Sequence, residues 1–129
     1  MAEPIIKIGA VSNIYVRQMH FLNAGDIEYG HSHDFDHLSL LSSGKVMSIV
    51  DGKESVFEAP MMIFIKKGIQ HEFVALEDNT VLHCVHAIRN GERIEDIVDP
   101  DSIPQGVKIQ DMPGIRPLGH YKRPELQEG

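Results

Sequence analysis

The sequence has little of what would tie it to a membrane, a nucleic acid or an oxidising compartment. One cysteine, Cys84, stands among 129 residues. It excludes an internal disulfide and fits a reducing cytoplasm, the expected location. No apolar run approaches the roughly 18–20 residues of a membrane-spanning helix. The opening MAEPIIKIGAV lacks the basic and long apolar regions of a secretory signal. Lys and Arg are few and unclustered in a chain of net charge −7, which argues against nucleic acid or an anionic membrane as partner. The short basic run YKRP near the end is read as solvated surface. Proline is scarce before residue 100, and five of the seven prolines fall from Pro100 onward.

What remains is an ordinary globular balance, 42% hydrophobic and 24% charged. The length suits one domain with a sizeable core that needs no disulfide or structural metal. Strand signals dominate. IYVRQMHFL (14–22) is β-branched, aromatic and apolar, and the turn signal NAGD follows it. HLSLLSS (37–43) ends at Gly44, and KVMSIV (45–50) meets the hairpin signal DGK. ESVFEA (54–59) stops at Pro60, MMIFI (61–65) is wholly apolar, HEFVAL (71–76) alternates, and TVLHCVHAI (80–88) is long and apolar. Seven or more short strands at even spacing predict an all-β sandwich or barrel. Helical periodicity is lacking before residue 90, and ERIEDIV (92–98) has room for one or two helical turns. Residues 1–99 are therefore read as the barrel domain. Residues 100–129 are read as an extended, Pro-rich tail lying along the barrel or a partner subunit.

Histidine is the residue in excess. The chain has eight, and His31, His33 and His37 fall within GHSHDFDH. On a strand, His31 and His33 share a face. His37 opens the next strand after a short bend, and His71 opens a later one after Gly68. Four imidazoles on neighbouring inward faces can surround one divalent cation, and imidazole suits Zn, Cu, Fe and Ni. An isolated HxH is a weak signal. Three histidines in seven residues, bracketed by glycines, with a fourth after another glycine, are harder to obtain by chance.

The spacing Gly25-x5-His31-x-His33-x3-His37-x6-Gly44 resembles the first motif of the cupin superfamily, with His37 where that motif has Glu. Gly68-x2-His71 resembles part of the second motif. There, Pro60 replaces its first Gly, Lys66 its Pro and Ala75 its Asn. The resemblance implies a jelly-roll β-barrel. It implies one divalent transition metal (Fe, Mn, Ni, Cu, Co or Zn) held by His31, His33, His37 and His71 at the barrel mouth. It also extends to cupins that use four histidines. Exchanging a carboxylate for imidazole leaves every ligand neutral. A divalent ion then keeps its full charge, which favours anionic or enolate-like ligands and disfavours Mg and Ca. Cupins of this size are commonly dimers, and the doubly apolar MMIFI strand is consistent with a homodimer.

Around these histidines, Tyr29 lies two residues before His31. It is the candidate catalytic residue, placed either to hydrogen-bond a substrate or to fill the barrel wall. Asp34 and Asp36 are read as turn residues whose carboxylates also suit accepting the free N–H of a ligating histidine. Ser39 shares the parity of His37, and Phe73 that of His71. His83 and His86 are three apart, so at most one faces inward. Cys84, among apolar neighbours, is read as a buried, inert thiol. The functional expectation is a metal-dependent, dioxygenase-like oxidoreductase acting on a small oxygen-chelating substrate, for which an anionic group is suited. Two readings stay open beside it: a non-redox lyase or isomerase of a small sugar acid or other acid, and a non-catalytic small-anion-binding module.

Overall fold

The computed structural model describes residues 2–31, 37–66 and 68–88. Among them the chain forms strands and no helix: β1 (Ile5–Val11), β2 (Ile14–Phe21), β3 (Ile27–His31), β4 (His37–Ser43), β5 (Lys45–Val50), β6 (Lys53–Glu58), β7 (Met61–Ile65), β8 (His71–Ala75) and β9 (Thr80–Ala87). No helix of the described residues is long and apolar enough to cross a membrane. The segment 92–98 and the tail from residue 100 lie outside the described residues.

The strands make two antiparallel sheets, ordered β1-β2-β9-β4-β7 and β3-β8-β5-β6. From β2 onward the chain changes sheet at every connection except the β5–β6 hairpin. This is the expected jelly roll. β1 is an addition to the strands read from sequence. It pairs with β2 from Val11↔Ile14 to Ile5↔His20. Its turn passes through Ser12, at φ 56°. With no glycine at that turn, the sequence offered no strong hairpin signal. The DGK signal, by contrast, closes β5 onto β6 with Asp51 at φ 50° and Gly52 at φ 79°, the twist that a two-residue hairpin favours.

Both sheets supply the core. Met19, Phe21, Leu41, Ile63, Ile65 and Leu82 come from the larger sheet, and Val46, Phe73 and Ala75 from the smaller. Burying each large apolar side chain contributes about 1.5–3 kcal/mol. The interior is graded along the strands. Inward positions of β2 run Phe21, Met19, Arg17, Tyr15, and their β9 partners run Thr80, Leu82, Cys84, His86. One end is thus largely apolar, and polarity rises toward the end where β3 finishes at His31 and β4 begins at His37.

The outer face is less conventional. In β7, Ile63 and Ile65 point into the core while Met62 and Phe64 are 70% and 65% exposed among the described residues. Phe64 pairs with Leu38, Leu38 with Val85 and Val85 with Val16, so an apolar row crosses four strands.

Candidate functional site

Strand pairing brings the histidines of distant segments to one end of the barrel. His31, last in β3, stands directly opposite His71, first in β8. His37 heads β4, two residues before the fully buried Ser39. Ser39 pairs with Cys84 and Leu38 with Val85, so extending that ladder by one residue sets His37 level with His86. His33, Asp34 and Asp36 lie outside the described residues. Among the described residues, no three of His, Cys, Asp or Glu cluster closely enough to hold an ion.

The His71 ring is buried, and its geometry can be read in detail. Its Nδ1 lies 3.1 Å from the Ile69 carbonyl oxygen. A carbonyl only accepts, so Nδ1 carries the hydrogen and, in the neutral ring, Nε2 carries the lone pair. This is the arrangement that orients ligating histidines. Phe73 walls the same side, edge-on to His71 with ring centroids 5.8 Å apart. An imidazole with this tautomer is a donor of the kind a transition metal takes.

Simple alternation puts Tyr29 on the face of His31. Instead, the β3–β8 register shifts between Glu28, opposite Phe73, and His31, opposite His71. A β-bulge of this kind places two residues opposite one. Glu28 consequently takes the inward position and is buried, whereas Tyr29 is 54% exposed. The pair His83 and His86 divides as parity requires. His86 is buried beside Tyr15 on the inner face, and His83 lies on the outer face with its Nε2 3.0 Å from Gln18 Oε1.

Sequence reasoning missed the charged pair beneath the histidines. Arg17 Nη1 lies 2.9 Å from Glu28 Oε1, joining the two sheets, with side chains 15% and 10% accessible. Arg17 also pairs in register with Cys84, and Ser39 Oγ lies 3.5 Å from Cys84 Sγ. Burial pushes the Cys84 thiol up to about 11; the Ser39 hydrogen bond and Arg17 pull it down, and Glu28 pushes it up. Cys84, expected to be buried among apolar side chains, is partly buried, and its neighbours include the polar Ser39 as well as the charged Arg17 and Glu28. A signal for Glu28 was available only through the bulge, which alternation cannot reveal.

No protein-family model and no curated protein matches the chain. Solved structures do. KdgF from Halomonas sp. is 18% identical, with a TM-score of 0.59 over 72% of this chain and 82% of that one. A conserved protein with a double-stranded β-helix domain from Klebsiella pneumoniae is 19% identical, with a TM-score of 0.60 over 70% and 81%. A cupin protein from Bacteroides fragilis is 17% identical, with a TM-score of 0.58 over 72% and 84%. The architecture is that of an all-β, double-stranded β-helix protein. Its fold is the cupin fold.

Proposed function

We propose that this cupin-fold protein holds one divalent transition metal through His31, His33, His37 and His71. We further propose that it acts on a small oxygen-chelating substrate as a dioxygenase-like oxidoreductase. The observation that carries the reading is the placement of His31 opposite His71, with the head of β4 at the same end of the barrel. A metal bound there would supply Lewis acidity and, if redox-active, an electron-transfer centre. The chain's own residues do the rest. The Ile69 carbonyl orients His71. Phe73, Met19 and Leu82 belong to the buried apolar core, which excludes water from the barrel interior. Tyr29, exposed beside His31, would meet the protruding end of a ligand.

A non-redox lyase or isomerase is the second reading, and His86 favours it. An imidazole buried on the inner face, level with His37, is suited to carry a proton. The outer apolar row from Phe64 to Val16 supports a homodimer.

Metal analysis of purified protein beside a His37→Ala variant tests the site. Near one equivalent of metal is expected, lost in the variant. Oxygen uptake with diketones, catechols or thiols then supports the first reading. Turnover with Zn and without oxygen supports the second. Absence of metal after incubation with excess ion would sink both.

A further inference from the structure

Among the described residues the two sheets have four edge strands, β1 and β7 in the larger and β3 and β6 in the smaller. An edge strand presents unpaired N–H and C=O groups to any strand that meets it, and proteins blunt such edges with charge, proline or a covering segment. Three of the four are blunted here. β6 carries Lys53, Glu54 and Glu58, all exposed. β1 carries the exposed Lys7 and follows Glu3 and Pro4. β3 is covered at its start, where the Ile27 amide donates to the Ala2 carbonyl at 2.9 Å. β7 has none of these devices. Met61–Ile65 contains no charge and no proline. It pairs with β4 along its whole length, and no described strand lies on its other side. Its exposed side chains Met62 and Phe64 stand beside Leu40 and Leu38 of β4, so the outer face next to this edge is apolar as well.

Charge and chain path point to the occupant. The chain has a net charge of −7, so two copies repel wherever their charged surfaces meet. The β7 edge is a place where they meet without formal charge. The chain's own next segment sets out elsewhere. The Ile88 amide donates to the Asn13 carbonyl at 2.6 Å, which puts the end of β9 beside the β1–β2 turn, on the side of β9 away from β4 and β7. We infer that β7 pairs antiparallel with β7 of a second copy, joining two five-stranded sheets into one of ten strands. The inference rests on the proposed homodimer and names its interface. The register follows from symmetry. Opposite residues of an antiparallel pair share a face, and a two-fold axis perpendicular to the sheet keeps both outer faces on one side. The axis must then pass through a residue, and only Ile63, the centre of the strand, keeps all five residues in the ladder. Ile63 faces its own copy, Met61 faces the second copy's Ile65, and Met62 faces the second copy's Phe64. A thioether against an aromatic ring is a favourable contact, and symmetry makes it twice.

Amide hydrogen exchange followed by nuclear magnetic resonance, with light scattering on the same full-length sample, tests this. Successive amides of a strand point to opposite edges, so β4 alone protects only alternate amides of β7. A dimer in which Met62, Ile63 and Phe64 all exchange slowly is expected. Met62→Lys alters an exposed position and sets an ammonium against the second copy's Phe64. It should raise the dimer dissociation constant about tenfold or more, and the amides that point away from β4 should then exchange fast. Val16→Lys, on the outer face three strands from β7, should leave the dimer intact. The wild-type exchange pattern decides even where a variant folds poorly. The two readings fail separately. A dimer whose β7 amides alternate between slow and fast, and which Val16→Lys dissociates, keeps the homodimer and overturns edge pairing in favour of stacked outer faces. A monomer overturns both, and one whose β7 amides are all slow gives the edge to a later segment of the same chain.

Discussion

His71 stands opposite His31 across the β3–β8 ladder, and its Nδ1–H is committed to the Ile69 carbonyl. The second relationship gives the first its chemical meaning. A ring anchored at Nδ1 presents Nε2, and it loses little conformational freedom when that atom binds a cation.

If the proposed ion binds the folded chain in preference to the unfolded one, metal occupancy should stabilise the fold. At a free concentration about 100 times the dissociation constant, the gain is about 2.7 kcal/mol. Treating the loaded protein with a chelator should lower its unfolding midpoint, and readdition should restore it. In His71→Ala the chelator should have no effect. Calorimetry of the four samples measures this.

Cys84 should react slowly with thiol reagents in the native state. Burial raises its pKa to about 11 from 9.0, so at neutral pH very little thiolate exists. The same shift has a stability consequence. Between pH 9 and 11 the unfolded chain releases this proton while the native chain retains it. Stability contributed by the neutral thiol is complete below pH 9 and declines as pH rises toward 11. Cys84→Ser should flatten that decline in a pH series of denaturant melts.

Gly44→Ala should cost about 1–3 kcal/mol. Gly44 sits at φ 83°, where the chain passes from β4 in one sheet to β5 in the other. A Cβ there would stand 2.8 Å from the Thr80 Cα, which is backbone and cannot rotate away. Thr80 itself is fixed, its Oγ1 2.9 Å from the Glu77 carbonyl oxygen and 3.3 Å from the Lys45 amide. Urea denaturation should show a lower midpoint with an unchanged slope.

Phe64→Glu should convert a dimer to a monomer without unfolding it. Phe64 is exposed and central to the apolar row that runs through Leu38. Light scattering should give a dimer mass for the wild type and a monomer mass for the variant. A monomeric wild type at micromolar concentration would count against the proposed homodimer.

Much of the barrel was legible because its strands advertise themselves. HLSLLSS, KVMSIV and MMIFI begin and end where β4, β5 and β7 do. Each is bounded by a turn residue that local chemistry identifies. β1 was not legible, since EPIIKIGAV closes on β2 through Ser12 rather than through a glycine. At the site, the parities of Ser39 and Phe73, and the opposed faces of His83 and His86, followed from alternation within one strand. Arg17 and Glu28 did not. Each reads alone as a charged residue in a strand, and only the packing of two sheets brings their side chains within 2.9 Å. That information lies in tertiary distance and leaves no trace in local spacing.

The register shift in β3 acts as a phase dislocation, like an extra half-plane in a crystal. On one side of it the buried Glu28 stands opposite Phe73, and on the other His31 stands opposite His71. Two residues, Tyr29 and Gly30, lie between Glu28 and His31 where one lies between His71 and Phe73, so removing Tyr29 would restore a one-to-one ladder. The rim of histidines and the charged floor are thereby uncoupled in chain length. A residue can be gained or lost at this point while Glu28 stays opposite Phe73 and His31 stays opposite His71.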